Sequence, residues 1–259
     1  MVLVAAVPKA VVIGNGPSLR EHLRRGDFER LAGVETVAMN RIDWLYDPDP
    51  EAGLPGTAWR PTRWVWVEYY GISDSADPDS MERTYTRVLE RHVFPDVERC
   101  YISTHFRKAL QDRAWRLREC ERIFTRQKLI WVDRCNWHGG QCDSLERPED
   151  WHLPMPCTFG GTINTALSLA FMFGFDDVAV IGCDLGIRRA EGPDDPNHFH
   201  PRYHTYLDGN FERQDDTLRH VHSIARRNFE RCGRRIVNAG IGGLLEVYDR
   251  MPLEEWLCS

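Results

Sequence analysis

Short apolar runs, mostly rich in Val, Ile or aromatic residues, recur along the chain between longer stretches of mixed polarity. The runs at Ala10–Gly14, Glu35–Met39, Arg63–Glu68, Arg99–Ser103, Leu129–Val132, Val178–Gly182 and Arg235–Asn238 read as strands. Their near-continuous apolar character suits strands covered on both faces, as in parallel sheets. Helices are predicted over Asp79–His92, Phe106–Glu121, Gly161–Phe173 and Phe211–Cys232, with a short terminal turn over Pro252–Leu257. This alternation predicts an α/β, Rossmann-like, mostly parallel sheet with helices on both faces, in a single nucleotide-binding domain over residues 1–259.

Three segments break the alternation. Residues 47–62, with Pro48, Pro50, Pro55 and Pro61, read as a surface loop. Residues 133–157 read as an irregular insertion, and residues 187–210 as a long lid-like loop directly after the strand that ends near Asp184. Loops of this length in a compact domain commonly bind or cover ligands.

Two Gly-rich segments carry the candidate chemistry. Val11-Val12-Ile13-Gly14-Asn15-Gly16-Pro17-Ser18-Leu19 runs from a strand into a small-residue turn, where backbone N–H groups can approach a nucleotide or phosphate. Ser18 stands where a helix N-cap would be. Far downstream, Gly160-Gly161-Thr162 opens a predicted helix, and the next strand ends in Gly182-Cys183-Asp184-Leu185-Gly186. Ligands of open parallel sheets bind beyond the strands' carboxyl ends, so both segments are expected to line one crevice. Asp184 is read as a ribose ligand, a metal ligand or a cap for the next turn.

Gly14 to Leu19, Ala38-Met39-Asn40-Arg41, the Gly160-Gly161-Thr162 helix and Gly182-Cys183-Asp184-Leu185 together resemble the bacterial lipooligosaccharide sialyltransferases of glycosyltransferase family 42. They also resemble the wider DUF115-like group, which includes an archaeal 6-hydroxymethylpterin pyrophosphokinase. Asn197-His198-Phe199 places the chain nearer the DUF115-like members. The resemblance covers the first 40 residues and about residues 157–205. It implies a glycosyltransferase that uses a nucleotide-sugar as co-substrate, with Asn15 and Asn40 contacting the donor.

The densest chemistry lies in the third loop, Asp194-Asp195-Pro196-Asn197-His198-Phe199-His200-Pro201-Arg202-Tyr203-His204-Thr205-Tyr206. A His general base can deprotonate an acceptor hydroxyl, and Arg or Tyr donors can stabilise a departing phosphate. His198 and His200 are the candidate bases, with Arg202, Tyr203 and Tyr206 as phosphate donors; the resemblance implies the same division between a His and two tyrosines. The expected donor site comprises Gly14, Asn15, Gly16, Pro17, Ser18, Asn40, Gly160, Gly161, Thr162, Cys183, Asp184, Leu185, Arg202, Tyr203 and Tyr206.

Asp184-Leu185-Gly186 is not the DxD motif of metal-dependent glycosyltransferases, so no metal is assigned, while a divalent ion stays open. The alternatives are a Mg-dependent pyrophosphokinase of the 6-hydroxymethylpterin type, which would need Mg²⁺ between ATP phosphates, and a noncatalytic nucleotide-binding module. No Walker A lysine accompanies Gly14-Asn15-Gly16.

The composition, 42% hydrophobic and 28% charged over 259 residues, can fill an α/β core and contains no apolar run of the ~20 residues that a membrane-spanning helix needs. Met1–Val7 lacks a basic leader, which points to a cytoplasmic protein, with a peripheral membrane location left open. A net charge of −6 leaves no general footprint for nucleic acid. The acceptor is expected to be a glycan, a lipid or another hydroxyl, and a nucleic acid acceptor is not excluded. A local basic surface is expected around Arg219, His220, His222, Arg226, Arg227, Arg231, Arg234 and Arg235, with a helix-terminal charge pattern as the alternative reading. Eight irregularly spaced cysteines read as reduced thiols, and Cys135, His138 and Cys142 could supply zinc ligands without the CxxC pairs of a structural site.

Overall fold

A computed structural model of the chain describes residues 8–66, 99–103, 128–132, 137–138, 141–142, 144–153, 155–203 and 211–259. The predicted helices Asp79–His92 and Phe106–Glu121 lie outside the described residues, as do Cys135 and Tyr206.

All seven predicted strands are present: β1 (Lys9–Ile13), β2 (Glu35–Met39), β3 (Arg63–Trp66), β4 (Arg99–Ser103), β5 (Lys128–Val132), β8 (Asp177–Ile181) and β9 (Arg235–Asn238). They share one sheet with a short β10 (Asp249–Arg250), in the order β10-β9-β8-β1-β2-β3-β4-β5. Every pairing in it is parallel. The chain steps outward from β1 to β5 and then returns to lay β8 on the other side of β1. Strand order therefore reverses between β1 and β8, and a crevice opens at their carboxyl ends.

Alternation along β1 explains why both faces are covered. Val11 and Ile13 point into one core with Leu19 and Leu23 of α1 (Leu19–Arg24), Phe28 of α2 (Asp27–Arg30) and Trp256 of the C-terminal helix (Leu253–Cys258). Ala10 and Val12 point into the other, with Ala166 and Leu169 of α3 (Thr162–Met172) and Ala225 and Phe229 of α4 (Phe211–Arg231). A strand flanked in this way must be apolar at every position, which is why the sequence shows no period of two.

The described residues of the expected irregular insertion include regular structure. Trp137–His138 (β6) and Gln141–Cys142 (β7) form an antiparallel hairpin. Behind it, Leu145, Trp151 and Cys157 are buried against Ile224 of α4, with Phe171 of α3 alongside. The loop after β8 is also anchored where it is described. Phe199 is fully buried in the first core, its N–H donates to the Asn15 carbonyl at 2.9 Å, and Arg20 Nε donates to the Phe199 carbonyl at 2.5 Å. Burying a Phe side chain stabilises by about 1.5–3 kcal/mol, so this one ring fastens the loop beside the β1 turn.

Candidate functional site

The carboxyl ends of β1 and β8 open into a cleft of about 570 Å³. Its floor is where two turns cross. Gly14 N–H donates to the Ile181 carbonyl at 2.9 Å, and Gly16 N–H to the Gly182 carbonyl at 2.8 Å. A Cβ at Gly14 would strike the Gly182 carbonyl, and one at Gly16 would strike the Asp184 carboxylate. These two glycines are thus required by the close approach of the β1 and β8 turns.

Asp184 Oδ2 accepts the Ser18 N–H at 2.9 Å, so it ties down the β1 turn and not the turn that follows it in sequence. Ser18 is the N-cap of α1 by position, but its hydroxyl makes no cap bond, which corrects the expectation. The Ser18 Oγ is instead buried without a hydrogen-bond partner among the described residues. Beside it, burial and the Asp184 charge hold the Cys183 thiol far above its ordinary pKa, so it stays protonated.

The two asparagines flank the cleft. Asn15 Nδ2 donates to the Met39 carbonyl at 3.1 Å. Asn40 adopts a left-handed backbone at φ 49°, its N–H donating to the Val65 carbonyl at 2.9 Å while its carbonyl accepts from Trp64 Nε1 at 2.8 Å. Both residues are more than nine-tenths buried. Their Oδ1 atoms have no hydrogen-bond partner among the described residues, nor has Thr162 Oγ1. Buried polar atoms of native proteins are nearly always paired, so three such atoms at one cleft mark a place for a ligand.

On the second face, Gly160, Gly161 and Thr162 bring the N-terminus of α3 to the cleft. Gly161 is its N-cap at φ 104°, a conformation suited to glycine, and no side chain caps the helix. Gly160, at φ 74°, carries no Cβ because Val221 of α4 stands against it. An uncapped helix N-terminus presents backbone donors and the positive end of the dipole.

The histidines separate. His198 borders the cleft, its Nδ1 2.7 Å from Asp195 Oδ2 and its ring stacked on Tyr203 at 4.0 Å between centroids. Asp195 is buried and also accepts the Asn197 N–H at 2.7 Å. With Asp195 accepting from Nδ1–H, Nε2 is the nitrogen that can take a proton. His200 lies away from the cleft: its Nδ1 accepts the Arg202 N–H at 3.1 Å and its Nε2 meets Asp49 Oδ2 at 3.1 Å. Burial lowers its pKa, with Asp49 opposing the shift.

Arg202 pairs with Asp49 at 2.7 Å, and the Tyr203 hydroxyl accepts the Arg41 N–H at 3.3 Å. Neither residue borders the cleft, so the expected phosphate donors within the described loop face the 47–54 segment and His198 instead. The guanidinium that the described cleft wall does carry is Arg188, exposed, in the stretch after β8.

Sequence reasoning assigned no cleft role to Arg188, and read His222 only as part of a basic helix. His222 also lines the cleft, as do Leu218, Ile241, Gly243 and Leu244. The spacing of Leu218 and His222, one helical turn apart, was the available signal. Most of the other basic residues of that region are engaged: Arg226 with Glu230 at 2.7 Å, Arg227 with Glu146 at 3.2 Å, Arg234 with Asp176 at 3.1 Å and Arg235 with Asp177 at 2.7 Å.

Among the described residues, no group of three His, Cys, Asp or Glu side chains is placed to hold a metal ion, and no helix is long and apolar enough to cross a membrane. Comparison of the chain with protein-family models, curated proteins and solved structures found no match, so none of them supports the likeness to the DUF115-like group.

Proposed function

We propose that the protein is a transferase of the glycosyltransferase type, which binds a nucleotide-activated sugar in the β1–β8 crevice and uses His198 as general base. The observation that carries this reading is the Asp195–His198 pair, 2.7 Å apart, at a cleft whose walls also hold the Asn15 and Asn40 oxygens, which have no hydrogen-bond partner among the described residues. Amide oxygens only accept, so they call for donors, and the hydroxyls of a ribose or hexose supply them. The α3 N-terminus and Arg188 suit the phosphates.

In this reading His198 Nε2 takes the proton of an acceptor hydroxyl as its oxygen bonds to the anomeric carbon. The bond from that carbon to the phosphate oxygen breaks, and its electron pair leaves with the nucleotide. Asp195 stabilises the imidazolium formed, while the α3 N–H groups and Arg188 stabilise the leaving phosphate. Tyr203, stacked on His198, fixes the ring plane.

The test is calorimetric titration with CMP, UDP, GDP, ADP and ATP, with and without Mg²⁺, followed by assay of the corresponding nucleotide sugars for nucleotide release. Binding of a nucleotide and release from its sugar, with release lost and binding kept in His198→Ala, are the expected results. Mg²⁺-dependent binding of ATP alone would replace this reading with pyrophosphate transfer. No binding of any nucleotide would overturn it.

A further inference from the structure

Part of the cleft lining is left unused by the assignments above. Leu218 and His222 stand one turn apart on α4, and Ile241 and Leu244 face the cleft from the loop after β9. That loop is pinned from three sides. Leu244 N–H donates to the Asp184 carbonyl at 2.6 Å, Asn238 Nδ2 to the Leu245 carbonyl at 2.7 Å and Arg226 Nη1 to the Val247 carbonyl at 2.6 Å. Yet the Leu244 side chain is 58% exposed, more than any other large apolar side chain among the described residues. A rigid backbone that holds a Leu side chain in water at the lip of a cleft offers a surface for a flat, apolar face.

His222 gives this part of the lining a directed polar group. Its ring is 1% exposed, and its Nδ1 lies 2.9 Å from the Tyr248 hydroxyl. Burial pushes the imidazole pKa down to about 4 and the phenol well above its ordinary value, so both are neutral at pH 7. With the phenol donating to Nδ1, its hydrogen-bond partner among the described residues, the proton of the neutral ring is on Nε2. The cleft lining thus brings apolar side chains from Leu218, Ile241 and Leu244 together with an N–H donor from His222.

We propose that this part of the cleft wall is the base subsite: it takes the heterocyclic base of the nucleotide, packed against Leu218, Ile241 and Leu244, with His222 Nε2–H donating to a carbonyl oxygen on the ring. The inference rests on the nucleotide reading above and adds a selectivity to it. Cytosine, uracil and guanine carry such a carbonyl and adenine does not, so CMP, UDP or GDP binds more tightly than ADP.

Titration calorimetry on the full-length protein tests this with four ligands, CMP, UDP, GDP and ADP, and with inorganic pyrophosphate as a probe that lacks a base. For the preferred nucleotide, His222→Ala weakens binding about fivefold, as the loss of one neutral hydrogen bond implies. Leu244→Ala, at an exposed position that the fold tolerates, weakens it by about threefold to tenfold, as the loss of part of a buried apolar contact implies. Pyrophosphate affinity stays within about twofold in both variants. Nucleotide binding that is unchanged in Leu244→Ala, or nucleotide and pyrophosphate weakened equally, overturns the subsite while leaving the nucleotide reading intact. A wild-type protein that binds pyrophosphate and no nucleotide overturns both.

Discussion

The Asp184 carboxylate, at the end of one central strand, accepts the Ser18 backbone N–H, just past the end of its neighbour, at 2.9 Å. One charged group thus joins the two halves of the sheet where strand order reverses, and does so at the floor of the cleft. Replacing it tests whether that floor is a single unit. Asp184→Ala is expected to destabilise the protein by about 1–3 kcal/mol, because the partly buried Ser18 N–H loses its acceptor. Asp184→Asn, which keeps an acceptor oxygen, costs less. Urea unfolding of the two variants measures the difference, and equal losses would show that the hydrogen bond is not the cause.

Gly16 is the tightest point of the same crossing. Gly16→Ala forces a methyl group into the Asp184 carboxylate, and a loss of about 1–3 kcal/mol is expected from the displacement. Gly192 has open space around the position of a Cβ and an ordinary φ, so Gly192→Ala is expected to leave stability unchanged or raise it by up to about 1 kcal/mol. Thermal unfolding of the pair compares a glycine required by contact with one that is not.

His198 and Asp195 should fail in different ways. His198→Ala is expected to lower turnover by about 10²–10⁴ with nucleotide affinity retained. Asp195→Asn keeps the side-chain volume and loses the charge that stabilises the imidazolium, so its turnover falls between that of the wild type and that of His198→Ala. His200→Gln, away from the cleft, is expected to change Tm more than turnover. If His200→Gln abolished turnover without affecting Tm, the assignment of the base to His198 would be wrong.

Burial of His222 makes stability depend on pH in a known direction. Its pKa falls from 6.5 to about 4 on folding, so between these values the unfolded chain binds a proton that the folded chain does not. Stability from this residue is fully present above about pH 6.5 and declines as pH falls toward 4, by an amount on the order of 3 kcal/mol over the window. His22, buried with its pKa also lowered, adds to the same trend. The Tm of wild type should therefore fall more steeply between pH 6.5 and 4 than that of His222→Gln, which has no group to titrate; parallel curves would refute the assignment.

The sheet was readable from sequence because its signal is local. Strands buried on both faces must be apolar throughout, and Val11-Val12-Ile13 or Val178-Ala179-Val180-Ile181 state that requirement within a few residues. The Gly14-Asn15-Gly16 and Gly182-Cys183-Asp184 turns were legible as one crevice for the same reason: small residues at strand ends mark a backbone that something approaches closely, although that something proves in part to be the other turn. What sequence could not convey was orientation. His198 and His200 are two residues apart in a loop without a repeating geometry, and only the burial of Phe199 between them, with Asp49 on one side and Asp195 on the other, sends them to different places. Likewise His222 looks like one more basic residue of an amphipathic helix until α4 is packed against the β9–β10 loop, and Tyr248, 26 positions away, becomes its partner. Apolar spacing along the chain is enough to determine the strands and the crevice between them. Which polar side chains enter that crevice depends on contacts between distant segments, and these exist only once the layers have packed.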